Sequence, residues 1–194
     1  QHPLTMAQPS PPQTVTTGLA GLDDILDGLR TGDNVVWRVQ QIEDYRRFVT
    51  PFVEAALAEE RDIIYLRFGQ HAPLVSEQAG VTVVTMNALG GFESFTARVW
   101  QLIEDYGRGA FYVCDCLSDL LDAWVTDTMV GNFFRVVCPF LFELDTVAWF
   151  AIYPNSHSHQ TLNRIRETTQ VLVDLHRTDD GTLYLQPVKV WQRH

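Results

Sequence analysis

Charged side chains stand near the ends of several apolar runs that are typical of strands. Arg38, Arg67 and Asp115 end or nearly end such runs, and His71 and His157 lie a few residues beyond two of them. Ligands of open α/β sheets bind outside the carboxyl ends of the strands. Basic groups gathered there would bind phosphate or a carboxylate metabolite, and an acid among them could contact the magnesium ion of a nucleotide. We therefore expect any ligand site to lie at this edge of the sheet.

Two further groups of side chains carry weaker chemical signals. Arg164 and Arg166 precede an acid in a helical segment, which fits an anion clamp, a residue reaching across a subunit interface, or a solvated helix face. His157-x-His159 has metal-ligand spacing, but no cysteine or carboxylate cluster adjoins it, so no metal site is predicted. The composition leaves a Ser-His-Asp triad open, although no G-x-S-x-G turn is present. No catalytic residue is predicted.

From residue 16 onward, helix-like and strand-like segments alternate. A short helix within 17–29 comes first, with the apolar residues Leu22, Ile25, Leu26 and Leu29 at helical spacing. Strands are predicted at 34–39, 62–68, 81–86, 110–115, 146–153, 170–177 and 182–190, and further helices at 92–106, 118–144 and 158–167. The alternation predicts an α/β domain whose mostly parallel sheet is covered on both faces. The turn at 179–181 predicts a closing antiparallel hairpin.

Pro51 interrupts the helical pattern of residues 43–60. A proline inside a helix costs about 3 kcal/mol. The sequence therefore favours a turn or short helix over 43–49, followed by a second helix with Thr50 as its N-cap and Pro51 at its first position.

The composition indicates one globular domain with a leader. Residues 1–14 contain four of the nine prolines and are predicted to be a disordered leader, and residues 15–194 form the domain. The net charge of −10 argues against nucleic acid as a partner, and no apolar run is long enough to span a membrane. Cys114, Cys116 and Cys138 lie in apolar runs, which predicts reduced core cysteines in a cytoplasmic protein.

The segment from Thr17 to Gly32, which begins Thr-Gly and continues with Leu22-Asp23 and Gly28, resembles the start of the KaiC/RadA branch of RecA-type ATPases. Phe111–Asp115 is similar to the Walker B strand of that family, and Lys189–Arg193 to its K-x-R ending. The resemblance covers about residues 16–193. It implies a three-layer RecA/KaiC-like P-loop fold, in which Asp115 is the Walker B-like acid.

The chain departs from that family where the phosphate-binding loop should be. A Walker A loop needs glycines so that successive backbone amides can point at the phosphates, yet no glycine lies between Gly32 and Gly69. Two like charges 4 Å apart repel by roughly 4 kcal/mol at the protein surface, so the two acids here would oppose a triphosphate. The degenerate loop consists of Gln40, Gln41, Glu43, Asp44, Tyr45, Arg46 and Arg47, with Arg46 at the lysine position and Arg47 in place of the magnesium-binding hydroxyl.

The catalytic glutamate that the family carries after its second core strand is also missing, because Gln70 and His71 stand there. We expect no ATP hydrolysis, and binding of ATP with magnesium only in an altered mode. Anion binding by Arg38, Arg46, Arg67, His71, His157, Arg164 or Arg166 remains the best ligand hypothesis.

A narrower resemblance links Gly91–Phe95, Asp115–Leu120 and Arg164–Gln170 to the amino-terminal region of bacterial phosphoenolpyruvate-synthase-like proteins. In those proteins a KaiC-like module precedes the PEP/pyruvate-binding phosphotransferase domains. The resemblance implies a regulatory or assembly module whose partners are those C-terminal domains, and a homo-oligomer. Two alternatives stay open, namely a divergent ATPase using Arg46 and Asp115, and a stand-alone oligomeric signalling module.

Overall fold

A computed structural model describes residues 11–191 of the chain. The elements in chain order are β1 (Thr14–Val15), α1 (Ala20–Leu26), β2 (Leu29–Arg30), β3 (Asn34–Arg38), α2 (Ile42–Ala58), β4 (Ile63–Arg67), β5 (Val81–Thr85), α3 (Phe92–Tyr106), β6 (Phe111–Cys116), α4 (Leu121–Trp124), α5 (Thr128–Glu143), β7 (Val147–Ile152), α6 (His159–Thr168), β8 (Val171–Arg177) and β9 (Leu183–Val190). Short 3₁₀ turns occupy Ala88–Gly90, Leu117–Leu120 and Pro154–Ser156.

Seven strands form the main sheet in the order β5-β4-β6-β7-β3-β8-β9. The pairs from β5 to β8 are all parallel, and β9 pairs antiparallel with β8. The predicted α/β class, the mostly parallel sheet and the closing hairpin are therefore confirmed. Each predicted strand of the sheet is present, with bounds that shift by at most one residue.

Helices cover both faces of the sheet. Residues of α1 and α2 pack on one face, and residues of α3, α4, α5 and α6 pack on the other. Phe52 of α2 stacks on Trp149 of β7 at 4.1 Å between ring centroids and on Phe111 of β6 at 5.8 Å. All three rings are fully buried, so this aromatic stack fixes α2 across the middle of the sheet. Among residues 11–191, no helix is both long and apolar enough to cross a bilayer.

The prediction of a helix break before Pro51 is wrong, since α2 runs continuously through this proline. Tyr45, Val49, Phe52 and Val53 are buried on both sides of it. Each buried large apolar side chain contributes about 1.5–3 kcal/mol, which together outweighs the roughly 3 kcal/mol cost of an internal proline. Local propensity therefore yields to the packing of the whole helix against the sheet.

The predicted boundary of the leader also differs from the structure. Thr14 belongs to β1, where it pairs with Arg30 of the two-residue strand β2. The predicted first helix ends at Leu26, because Asp27 adopts a left-handed conformation with φ 59°, and Leu29 enters β2 instead. Residues 1–10 of the predicted leader lie outside the described residues.

The predicted helical region 118–144 is divided into three pieces. It consists of the turn Leu117–Leu120, the single-turn helix α4 and the long helix α5. Val125 separates α4 from α5 with φ 68°, an uncommon conformation for a β-branched residue. The buried Cys114 and Cys116 of β6 and Cys138 of α5 agree with the predicted core positions.

The Gly18–Pro51 contact, which joins the segment before α1 to the middle of α2, gives a stability prediction. Gly18 has φ 88°, and an added Cβ would lie 2.1 Å from the Pro51 carbonyl oxygen. We expect Gly18→Ala to lower the free energy of unfolding by about 2 kcal/mol or more, because strain and overlap add. Urea unfolding measures the change.

Gly21→Ala is the matched control for this substitution. Gly21 lies in α1, and nothing stands within 4 Å of an added Cβ. Alanine in a helix is favoured over glycine by about 0.5–1 kcal/mol, so this variant should be as stable as the wild type or more so. Equal effects of the two substitutions would contradict the described contact.

Candidate functional site

The link between β3 and α2 is the segment where the resemblance predicted a degenerate phosphate-binding loop. Only Val39, Gln40 and Gln41 separate the strand from the helix, and Gln41 is extended, with φ −146° and ψ 148°. Residues 33–59 are all described, and none of them has positive φ. A nest of amides around a phosphate requires such conformations. The backbone therefore forms no phosphate cradle after β3.

Side chains fill the space beside this link. Ile42 is buried, and the fully buried Tyr45 donates a hydrogen bond from its hydroxyl to the Cys114 carbonyl oxygen at 3.2 Å. Burial raises the pKa of Tyr45 well above its ordinary value, so the hydroxyl keeps its proton. Tyr45 thus joins the first turn of α2 to β6, two strands away from β3 in the sheet.

Asp44 forms an ion pair with the hairpin. Its side chain is 1% exposed, and the Arg177 guanidinium donates to its carboxylate at 2.6 Å from the end of β8. The Arg177 backbone amide also donates to the Gln40 side-chain oxygen at 3.4 Å. A bound triphosphate at the start of α2 would meet the Asp44 carboxylate and compete with it for Arg177.

Arg46, the residue at the lysine position, is held by two neighbours. It pairs with Glu43 one turn earlier and donates to the Ala72 carbonyl oxygen at 2.6 Å. Arg47 is exposed. The degenerate loop residues are therefore engaged with protein groups or point to solvent.

Asp115, the Walker B-like acid, is fully buried at the end of β6. Its carboxylate accepts hydrogen bonds from the Tyr65 hydroxyl at 2.5 Å and from the backbone amides of Phe68 and Gly69, each at 2.9 Å. His71 Nε2 lies 3.5 Å from the same carboxylate, and His71 Nδ1 donates to the Ala72 carbonyl oxygen at 2.8 Å. Asp115 therefore anchors the loop after β4 in this structure.

The predicted anion-binding residues are spread over several places. Arg38, at the end of β3, pairs with Asp174 in the middle of β8 at 3.0 Å, and Arg67 ends β4. Arg164 donates to the Asn132 side chain at 2.9 Å between α6 and α5, and the Arg166 carbonyl oxygen accepts from Lys189 at 2.7 Å. The structure does not bring these residues together into one pocket.

The structure brings together Ser118, His157 and Asp127, the residue types of the Ser-His-Asp combination that the composition left open, at positions that no motif marked. Ser118 Oγ lies 2.6 Å from His157 Nε2 and accepts a hydrogen bond from the Tyr153 amide at 2.9 Å. His157 Nδ1 lies 3.8 Å from an Asp127 carboxylate oxygen, which is longer than a hydrogen bond. Because the His157 side chain is fully buried, the group acts as a clamp between the ends of β6 and β7. Their wide separation in the chain gives no motif.

A cavity of about 720 Å³ at the carboxyl edge lies between the loops that follow β4, β5 and β6. Its polar lining includes Gln70, His71, Asn87, Asp119 and Asp122, and no arginine or lysine of residues 11–191 lines it. Desolvation raises the pKa of Asp119. This charge distribution suits a neutral or cationic group better than a phosphate.

A second cavity, of about 430 Å³, lies at the ends of β3, β7 and β8. Strands β3 and β7 are neighbours in the sheet, but the strands that follow them in the chain lie in opposite directions: β4 lies toward the β5 edge and β8 toward the β9 edge. The cavity therefore lies at a topological switch point. Arg38, Gln40, Asn155 and His176 line it, together with Asp174. This cavity combines an arginine with the edge of the sheet where ligands of α/β proteins bind.

Within residues 11–191, no group of three or more His, Cys, Asp or Glu side chains could hold a metal ion. No family model and no curated protein sequence matches the chain.

The role of Asp115 as a loop anchor predicts a loss of stability on substitution. Asp115→Asn replaces one acceptor oxygen with a donor that faces other donors, so we expect the free energy of unfolding to fall by about 2 kcal/mol or more. Asp122→Asn is the control, because Asp122 is exposed at the same cavity, and it should change stability by less than about 0.5 kcal/mol. Similar urea-unfolding curves for both variants would contradict the anchoring role.

The buried His157 predicts a dependence of stability on pH. Burial lowers the pKa of His157 from its ordinary value of 6.5, so the unfolded chain binds the proton more tightly than the folded chain. The stabilisation is present above that ordinary value and is lost as the pH falls below it. We expect His157→Gln to lose less unfolding free energy than the wild type between about pH 7.5 and about pH 5.5.

Ser118→Ala keeps the histidine and should retain a loss of stability toward acid. Chemical unfolding at several pH values measures both variants. Identical pH profiles for His157→Gln and the wild type would contradict the role of this histidine.

Proposed function

We propose that this chain is a non-hydrolytic RecA/KaiC-like domain that acts by binding and assembly rather than by ATP turnover. The observation that carries the proposal is the closed link after β3, where α2 begins three residues beyond the strand and Ile42, Asp44 and Tyr45 fill the space beside it. The segment Thr17–Gly32, the parallel sheet and the C-terminal hairpin support the RecA/KaiC-like part of the proposal.

The second support is the absence of free groups for hydrolysis. The loop after β4 offers Gln70 and His71 instead of a carboxylate that could orient a water molecule. Asp115 is fully buried and already accepts three hydrogen bonds from Tyr65, Phe68 and Gly69, so a magnesium ion would have to compete with these donors for its oxygens. A divergent ATPase would need Arg46 and Asp115, and both are engaged with protein groups.

The regulatory part of the proposal concerns the smaller cavity. Arg38 would bind a small anionic metabolite there, with Gln40 and Asn155 as neutral hydrogen-bond partners. Asp174 holds the guanidinium in place through its 3.0 Å contact and competes with the ligand, so the binding would be weak and responsive to concentration. The PEP/pyruvate-binding phosphotransferase domains implied by the narrower resemblance are the partners that such a module would regulate.

ATP binding and hydrolysis test the first part. We expect titration calorimetry with ATP and magnesium to show no saturable heat at ATP concentrations up to about 1 mM. A Kd of about 1 mM corresponds to a binding free energy of only about 4 kcal/mol. Phosphate release should equal that of a sample without protein, for the wild type and for Arg46→Ala alike. Nucleotide binding or turnover that is lost in Arg46→Ala would overturn the proposal in favour of a divergent ATPase.

Phosphoenolpyruvate is the probe for the second part. We expect it to bind to the wild type, and to lose at least tenfold in affinity in Arg38→Ala. Arg164→Ala is the matched control, since Arg164 lies between α5 and α6 and should leave the affinity unchanged. Equal binding by all three proteins would remove the cavity from the proposal and leave the absence of ATP turnover untouched.

A further inference from the structure

The two edges of the main sheet differ in how they are protected against pairing with another strand. The outer strand β9 carries Pro187 and Lys189, and its pairing with β8 shifts register between Leu172 and Val173. Proline, lysine and irregular register are the means by which proteins protect exposed edges. The other outer strand, β5, consists of Val-Thr-Val-Val-Thr and has a regular register with β4.

The sequence around β5 is also free of charge. No Asp, Glu, Lys or Arg occurs from Gln78 to Phe92, although the chain has 14 basic and 24 acidic residues. Thr82 and Thr85 are exposed, and the three valines are only partly buried. A net charge of −10 causes electrostatic repulsion between copies of this chain. No charged side chain of the segment around β5 adds to that repulsion.

The hydrogen bonds to β4 show which backbone groups of β5 face outward. The Gly80 carbonyl oxygen accepts from the Ile63 amide, and the Met86 amide donates to the Arg67 carbonyl oxygen. Because backbone groups alternate along a strand, even-numbered residues face β4, and Val81, Val83 and Thr85 direct their amides and carbonyls away from it. The Gln78 carbonyl oxygen accepts a hydrogen bond from the Val81 amide. The remaining groups of Val81, Val83 and Thr85 lie on the outer side of β5, the last strand at this edge of the sheet.

We propose that β5 is a strand-pairing interface for a second copy of this chain, antiparallel about a two-fold axis at Val83. Val83 then faces its own counterpart as a hydrogen-bonded pair, in which each amide donates to the other carbonyl. The amide of Thr85 in each copy donates to the Val81 carbonyl oxygen of the other copy. The two sheets become one continuous sheet.

A second copy fits this edge because the register is complementary to itself. It places Val83 opposite Val83, Val81 opposite Thr85, and Thr82 opposite Val84, so every cross-strand pair consists of β-branched residues without charge. Such pairs stabilise antiparallel strands, whereas like charges opposite one another destabilise them. The two-fold axis uses the same edge on both copies, so the assembly closes at a dimer.

The oligomeric state tests the interface. We expect sedimentation equilibrium to show a monomer–dimer equilibrium for the wild type, and a shift of at least tenfold toward monomer for Val83→Pro. Proline at this position removes only the outward amide and no bond to β4, which is why edge strands tolerate it. The far-UV circular dichroism of the variant should match the wild type. A wild type that stays monomeric at all concentrations, a ring of more than two copies, or a folded Val83→Pro that still dimerises would overturn the proposal.

Disulfide cross-linking tests the register and does not require the proline variant to fold. The Cα atoms of a hydrogen-bonded antiparallel pair are about 5.5 Å apart, within the range that a disulfide bridges. We expect mild oxidation of Val83→Cys to give at least tenfold more covalent dimer than Thr82→Cys. Position 82 is the more exposed of the two, but its copies would be diagonal neighbours at about 7–8 Å.

The wild type is the background control for the cross-linking, because its three cysteines are buried. Equal cross-linking of the two variants would indicate random collision and would overturn the two-fold register. This inference does not depend on the proposed function, so either can fail without the other.

Discussion

The short connection from β3 to α2 is the constraint on which the rest of the site depends. A chain that enters a helix three residues after a strand has no room to curve around a phosphate, and the first turn of the helix must find other contacts. It finds them in Tyr45, which reaches the Cys114 carbonyl oxygen, and in Asp44, which pairs with Arg177. These contacts connect the centre of the sheet to β6 and to the hairpin. The start of α2 is thus part of the packing of the protein.

The acid at the end of β6 has a structural role. The buried Asp115 carboxylate requires hydrogen-bond donors, because burying an unpaired charge is costly. It receives them from Tyr65 and from two amides of the loop after β4. An acid at this position therefore has a structural function that does not depend on any ligand. Its presence in a sequence is weak support for nucleotide binding.

The strands, the closing hairpin and the location of charged residues at the carboxyl edge could be predicted from the sequence, because each depends on local pattern. Arg38, His71 and Asp115 do lie at that edge. Their partners could not be predicted, because Asp174 meets Arg38 across two strands that are far apart in the chain. Ser118 and His157 likewise meet only after β6 and β7 have paired. The path of α2 through Pro51 was mispredicted, since the free energy that decides it comes from burial against the sheet rather than from the local sequence.

The Asp44–Arg177 ion pair has a mechanical consequence. Arg177 ends β8 and also donates to the Gly181 carbonyl oxygen in the turn that leads to β9. One guanidinium therefore holds the tip of the hairpin and the start of α2 at once. Any tilting of the hairpin must either pull the beginning of that helix with it or expose a carboxylate that is now 1% accessible to water. Arg177 thus couples the hairpin of β8 and β9 to the start of α2, which follows the central strand β3.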